Sequence, residues 1–355
     1  MEKQGKYIYG IINLNTALRF FIPKDFFEGE KSGVDGVYTV PYQDVSAVVT
    51  DAEIVDYTKL RKDALARLLV GHQKVIERIM DLAVEIIPLR LGTFAQDEIE
   101  VKDILNKGYN LIKHISTKIN NKIEFDVVAT WSDFNSVLKE AAEEKEIKEL
   151  KEKLSSNLKR VTVDDQMKIG FMVKKALDEK RERYTFQIQN TLKNLSEDSK
   201  MHELMDDKMV INIAVLIDKN EQMDFDRSIE KLNSEFAEKL NFRCVGPLPP
   251  YSFYTLEVKK LQFEEIDWAR RKLGLLNDIS NRDEIKKAYQ RLAFSSHPDK
   301  NPGIPGIEKE FEQVKKAYEI LLDYGLACEQ TGQGESLSFR DDEFKKSAIL
   351  VKVRG

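Results

Sequence analysis

Four runs of β-branched and aromatic residues set the frame for this chain: Lys6–Ile12 (KYIYGII), Val45–Thr50 (VSAVVT), Lys122–Trp131 (KIEFDVVATW) and Val210–Asp218 (VINIAVLID). Each is short, apolar and rich in side chains that suit a pleated surface, so each reads as a strand. What lies between them has a different period. Lys59–Glu85 carries Leu65, Leu68, Leu69, His72, Val75, Ile76, Ile79 and Ala83, which fall on one stripe of a helix. Asp97–Ile119 is a second amphipathic helix. Glu85–Phe94 (EIIPLRLGTF) is strand-like, but Pro88 cannot donate to a ladder and so belongs at an edge or a bend. Gly29, Gly33 and Gly36 mark a loop after the first strand, with a short strand at Gly36–Val40.

The order β-β-α-β-α-β over residues 1–131 predicts a modified ferredoxin-like unit, an antiparallel sheet with helices on one face. Ser132 is placed to cap the next helix, which runs through the charged AAEEKEIKELKEKL. A second long helix spans about Asp164 to Leu195, with Ile169, Val173, Ala176, Tyr184, Ile188, Leu192 and Leu195 on its apolar positions. Together they predict an antiparallel pair. After the strand Val210–Asp218, Asp224–Leu240 is a helix with Phe225, Ile229, Leu232, Phe236 and Leu240 inward. Asn241–Val258 holds two strands about a Gly-Pro-Leu-Pro-Pro turn. Residues 132–260 thus form the helical pair and a second α+β unit. The fold class is α+β throughout these two units.

Two residues stand out against these elements. His72 lies on the apolar side of its helix and reads as a core histidine with its hydrogen bonds satisfied. Arg90, inside PLRLG, reads as an arginine that orders its loop through a carboxylate or carbonyl; the alternative is a docking residue.

Composition narrows the function. A net charge of −5 gives no basic field for nucleic acid or anionic membrane. Only Cys244 and Cys328 are available, so neither a disulfide framework nor a zinc site is expected. MEKQGKYIYGIINLN lacks the long apolar core of a signal peptide, and no run has the length of a membrane span, so the expectation is a cytoplasmic protein. The chain shows no Gly-rich phosphate loop, no nucleophile motif and no metal-spaced ligands, so neither an enzyme nor a cofactor is expected.

The sharpest local pattern is Ile285–Asn301 (IKKAYQRLAFSSHPDKN). Ile285, Ala288 and Leu292 recur at helical spacing, as do Phe311, Val314, Ala317 and Leu321 in FEQVKKAYEILLD, so two antiparallel helices can bury a common stripe. Lys286, Lys287 and Arg291 are left outward as a positive face. Between the helices, Pro298 holds His297 away from helical conformation. With Trp268–Leu275 (WARRKLGL) upstream, the set resembles the DnaJ-type J-domain over residues 262–324. That resemblance implies an all-α module in which His297, Pro298, Asp299, Lys286, Lys287 and Arg291 contact a DnaK-type chaperone ATPase, with Asp299 meeting a partner arginine. The sequence departs from the J-domain pattern at Ser295–Ser296, where basic and aromatic residues are usual, and helix I lacks its paired tyrosines. An active module and a retained fold without chaperone contact both stay open. Behind it, residues 325–355 read as a Gly-rich link at Gln330–Glu335 and a strand at Ser347–Val353. That strand is expected to join the sheet of Val210–Asp218 and make the module an insertion.

Across residues 1–260 the ordered segments KYIYGII, GHQKVIERIM, IIPLRLGTF, DDQMKIGFMVKKALDEKRE and GPLPPYSF resemble the GvpL/GvpF gas vesicle proteins. The resemblance implies a minor component or assembly factor of gas vesicles, resident in the cytoplasm with them. Its implied partners are the small hydrophobic shell protein and other vesicle accessory proteins. A shell subunit that polymerises through apolar surfaces and strand edges needs covering before assembly; Pro88 and Pro247–Pro250 limit which sheet edges are free to do so. The alternative is a J-domain co-chaperone whose N-terminal region selects a different client.

Overall fold

A computed structural model describes residues 4–20, 36–156, 162–275, 279–332 and 336–354. Gly29 and Gly33 lie outside the described residues. The chain forms two compact units, one from residues 1–118 with 254–355 and the other from 119–253.

The N-terminal part of the first unit contains β1 (Gln4–Ile12), β2 (Arg19–Phe20), β3 (Val37–Tyr42), β4 (Val45–Glu53), α1 (Lys62–Asp81), β5 (Ile86–Pro88), β6 (Phe94–Ala95) and α2 (Glu98–Ile119). The sheet order is β2-β3-β4-β1-β5, with β6 also on β1, and its ladders are antiparallel. β1 is buried from Tyr7 through Ile12, so both of its faces are covered. Gly10 is required there. A Cβ on it would lie 2.6 Å from Ile86 Cδ1 and 2.7 Å from the Ile87 carbonyl, and the β1–β4 register slips beside it. Pro88 ends β5, an outer strand of the sheet, where its missing N–H costs no ladder bond.

The second unit follows with β7 (Lys122–Trp131), α3 (Phe134–Ala142), α4 (Lys145–Ser156), α5 (Val163–Lys193), β8 (Asp198–Met201), β9 (Met209–Asp218), α6 (Gln222–Glu235), β10 (Leu240–Leu248) and the short helix α7 (Tyr251–Tyr254) at its boundary. Its sheet runs β10-β7-β9-β8. Here the expected division at residue 131 is corrected: β7 is an inner strand of the second sheet, not the last strand of the first. The reason is side-chain fit. β7 pairs along its length with β9, and its Phe125 stacks on Phe225 of α6 at 4.6 Å while Trp131 meets Tyr184 of α5 at 5.5 Å.

Three further expectations change in this unit. The charged helix is two helices, α3 and α4, separated at Glu143–Glu144. Asp133, not Ser132, caps α3 by accepting from Ser136 N–H at 3.1 Å. Ser132 is occupied elsewhere: its N–H donates to the Lys239 carbonyl at 3.0 Å and its hydroxyl to that of Glu238. The predicted helix to Leu240 stops at Glu235, and Leu240 opens β10. α5 starts at a capping box of Thr162 and Asp165, and α3 and α4 pack on it around Ala141, Ile147 and Ala176.

The chain then re-enters the first unit with β11 (Leu256–Lys260), α8 (Phe263–Lys272), β12 (Ile279–Asn281), α9 (Arg282–Ser295), α10 (Ile307–Gln330), β13 (Ser336–Ser338), α11 (Asp341–Phe344) and β14 (Ile349–Val353). β14 does not join the sheet of Val210–Asp218. It pairs antiparallel with β11, from Leu256↔Val353 to Lys260↔Ile349. The helical module is therefore enclosed by one ladder. Asp323 of α10 holds both strands of that ladder, through Lys259 at 2.7 Å and Lys352 at 2.6 Å. α2 packs against it too: a Cβ on Gly108 would sit 2.9 Å from Val351 Cγ1.

α10 runs on past Asp323 to Gln330, because Tyr324, Ala327 and Cys328 are buried. Gln330 is no part of a flexible link: its amide group bonds the Val351 backbone on both sides. β13 pairs with β12, and Leu337, Phe339 and Phe344 enter the same core as Ile266, Ile285, Val314 and Leu321.

Candidate functional site

α9 begins at Asn281, whose side chain accepts from Glu284 N–H at 2.9 Å, and Asp283 and Glu284 complement the positive end of the helix. Ile285 and Ala288 are buried against α10. Burial of that face turns Lys286, Lys287 and Arg291 to solvent, and all three are exposed. Among the described residues none of the three has a carboxylate within ion-pair distance, so the positive face is uncompensated.

The helix closes at Ser296, which is buried and donates its hydroxyl to the Leu292 carbonyl at 2.8 Å. A small residue is what this tight exit admits, and this accounts for one of the two serines that break the J-domain pattern. His297 follows in extended conformation (φ −66°, ψ 127°), and Pro298 starts a single 3-10 turn through Lys300. The loop is held from within. Asn301 Nδ2 donates to the carbonyls of Ser295 at 2.9 Å and His297 at 3.1 Å. The His297 ring packs edge-on against Phe311 of α10 at 5.3 Å, and its Nδ1 accepts from Asp299 N–H at 3.2 Å. With Nδ1 accepting, the ring proton sits on Nε2. The Asp299 side chain is 89% exposed, so its carboxylate is available to a partner cation. Lys300 Nζ sits 3.0 Å over the ring of exposed Phe294. His297, Pro298 and Asp299 thus stand at the end of α9, on the helix that also presents Lys286, Lys287 and Arg291.

The other two singled-out residues are structural. His72 is 5% exposed, stacked on Tyr9, with Nδ1 2.6 Å from the Tyr7 hydroxyl. The Leu89 backbone bonds the ring; since the Leu89 N–H is used by the Tyr9 carbonyl, its carbonyl is the acceptor. That fixes a neutral ring with its proton on Nε2, and burial holds the imidazole down at about 4. Arg90 pairs with Glu257 of β11, and its N–H donates to the Leu256 carbonyl at 2.8 Å.

One polar cluster was not anticipated. Glu124, 1% exposed, accepts from Ser252 N–H at 2.9 Å and from the Ser252 hydroxyl at 2.6 Å. His202 Nε2 lies 3.1 Å from the same hydroxyl, and Lys200 Nζ donates to the Ser252 carbonyl at 3.1 Å. With Glu124 ionised, the serine proton goes to Glu124 and His202 donates to Ser252 Oγ, the reverse of a general base. The grouping is a clasp on the 251–253 segment, not a nucleophile. Burial pushes the Glu124 carboxyl up to about 7 and raises Asp126 beside it. The signal available in sequence was a charged residue at an inward position of KIEFDVVATW. Among the described residues no three His, Cys, Asp or Glu side chains are grouped to hold a metal ion, and no helix is long and apolar enough to cross a membrane.

Comparison with known proteins matches two successive regions of the chain. The family described as gas vesicle synthesis protein GvpL/GvpF matches residues 5–255, and the DnaJ domain matches residues 271–325. Similar solved structures include the gas vesicle protein GvpF from Anabaena sp. PCC7120, with a TM-score of 0.58 and 22% identity over 71% of this chain and 98% of that one. GvpF from Microcystis aeruginosa gives 0.56 and 19% over 71% and 99%. At these identities the likeness is one of fold.

Proposed function

Since the chain belongs to the GvpL/GvpF gas vesicle synthesis family and carries a DnaJ domain, we propose that it is a vesicle assembly factor that brings a DnaK-type chaperone to the small hydrophobic shell protein. In this reading the family region binds the shell subunit in the cytoplasm, with other vesicle accessory proteins, and the J module recruits the ATPase. The observation that carries it is the loop of half-buried His297 and Pro298 and exposed Asp299 beside the exposed cations Lys286, Lys287 and Arg291. The helical face steers an acidic ATPase surface, and the loop engages it. The module is built into the fold by the β11–β14 ladder, so the chaperone is delivered at a fixed place on the first unit.

The test is ATP turnover by the cognate DnaK-type chaperone with the full chain, together with co-purification of shell protein. Wild type should stimulate turnover, His297→Gln should not, and both should retain the shell protein. The His297 ring makes one edge contact with Phe311 and one capping bond from the Asp299 N–H, both in the loop, so the variant keeps its helices. Stimulation should also weaken as salt rises, since exposed charges are screened within about 10 Å at 0.1 M. Equal turnover with both chains rejects the recruitment step, and loss of shell protein from both rejects the assembly role.

A further inference from the structure

An open sheet edge invites pairing with another chain, and natural folds guard against it. Among the described residues, each edge strand longer than three residues carries such a guard, with one exception. β3 extends past β2; Thr39 N–H donates to the Leu18 carbonyl at 3.0 Å on that open side, and two residues on the same side falls to Pro41, which has no N–H. β11 is met at Leu256, whose carbonyl accepts from Arg90 N–H at 2.8 Å beside the Leu89 bridge. β14 is closed by Gln330, whose amide takes both the N–H and the carbonyl of Val351. β8 is four residues long, and its Ser199 N–H turns onto the Asp198 carboxylate at 2.8 Å. The exception is β10. It is an outer strand of the second sheet, nine residues long, and Asn241, Arg243, Cys244 and Val245 are all exposed.

The ladder to β7 fixes which backbone groups of β10 are free. The Ser132 N–H donates to the Lys239 carbonyl at 3.0 Å, so Lys239 and, by alternation, Asn241, Arg243 and Val245 turn their backbone toward β7. Phe242 and Cys244 turn theirs outward, and among the described residues their N–H and carbonyl groups have no partner. At one end the Leu240 N–H is used by the Phe236 carbonyl at 3.0 Å; beyond the other, Pro247 has no N–H. The open strip is therefore 241–245, roughly 17 Å of extended chain. Its apolar side chains are half-buried Phe242 and Val245, which is 37% exposed. Arg243 stands at its centre, exposed, with no carboxylate within ion-pair distance among the described residues. Because the Arg243 backbone faces β7, a residue set opposite it on an added antiparallel strand stands at the closer, non-hydrogen-bonded spacing, where a carboxylate pairs with the guanidinium.

We propose that the β10 edge receives an extended segment of the shell subunit, added as a further antiparallel strand with an acidic side chain opposite Arg243 and apolar ones beside Phe242 and Val245. This rests on the assembly role above and narrows it from the whole family region to one strand. Main-chain bonds to Phe242 and Cys244 supply affinity. Arg243 sets the register, since a slip of one residue turns the carboxylate to the other face. A shell strand held in this way cannot pair with another shell subunit.

Amide hydrogen exchange of the full chain, alone and co-purified with the shell protein, is the test. Peptides covering 240–245 should exchange freely in the chain alone and become protected in the complex, while those covering β14 stay unchanged. Cys244→Pro removes an outward N–H without touching the ladder to β7, and it should lower retention of shell protein about tenfold. Cys244→Val keeps the N–H and should retain it as wild type does. Arg243→Glu should also weaken retention. The protection pattern of wild type decides the matter even where Cys244→Pro does not fold. Full retention by a folded Cys244→Pro, or protection elsewhere with 240–245 unchanged, overturns the edge and leaves the assembly role standing. No retention of shell protein by wild type overturns both. Protection of 240–245 in the chain alone, growing with its concentration, gives the edge to a second copy and overturns the proposal.

Discussion

Two buried ionisable groups, one in each compact unit, should give the units opposite responses to acid. His72 in the first unit is held at about 4 against an ordinary 6.5. Its folded form binds fewer protons than its unfolded form, so the stability it confers is complete above 6.5 and is lost as pH falls towards 4. Glu124 in the second unit is raised from 4.5 to about 7. Its folded form binds more protons, so its stability is complete below 4.5 and is lost as pH rises through 7. At about 1.36 kcal/mol per pKa unit, going from about pH 7.5 to 5 costs the first unit roughly 2 kcal/mol and returns roughly 2 kcal/mol to the second. Asp126, raised by the same burial, adds to the second unit's gain. The chain contains just two tryptophans, Trp131 in the second unit and Trp268 in the first. Trp268→Phe and Trp131→Phe therefore leave one fluorescent reporter in each. In urea melts, the Trp131 transition should move to higher denaturant on acidification and the Trp268 transition to lower. His72→Gln should flatten the second movement and Glu124→Gln the first. Transitions that shift together, or slopes unchanged in these variants, would refute the assignment of the two groups.

Gly108→Val should destabilise the first unit by about 1–3 kcal/mol, because the new side chain enters space held by Val351 at 2.9 Å; the Trp268 transition reads the loss. Asp323→Asn removes the carboxylate shared by Lys259 and Lys352. It should cost about 1 kcal/mol, given that both lysines are partly exposed. Limited proteolysis should then cut between β11 and β14 sooner than in wild type, and unchanged digestion would count against the clamp.

The elements that sequence made legible are those whose period is decided by their own residues. KYIYGII, VSAVVT and VINIAVLID are too apolar and β-branched to be anything but strands, and His72 sits among isoleucines and valines that assign it to the core. Partnership was harder to read. β7 follows α2 directly, yet it pairs with β9, because a strand of its length finds its match in length and in the Phe225 and Tyr184 rings. β14 has the composition of a partner for any apolar strand. Its partner is β11, and Asp323, a single carboxylate on α10, holds a lysine from each strand. No local pattern announces such an arrangement. The J motif is the converse case. Its spacing alone predicts two helices with His297, Pro298 and Asp299 between them, since Pro298 acts on its own neighbours. The depth of its anchoring was hidden in YGLACEQ, which lacks the look of a helix end but buries Tyr324 and Cys328. That anchoring bears on mechanism. A J module on a flexible tail would sample many positions around its client. One enclosed by the β11–β14 ladder, packed on Gly108 and sharing a core with Leu337 and Phe339, holds its loop in one orientation on the first unit.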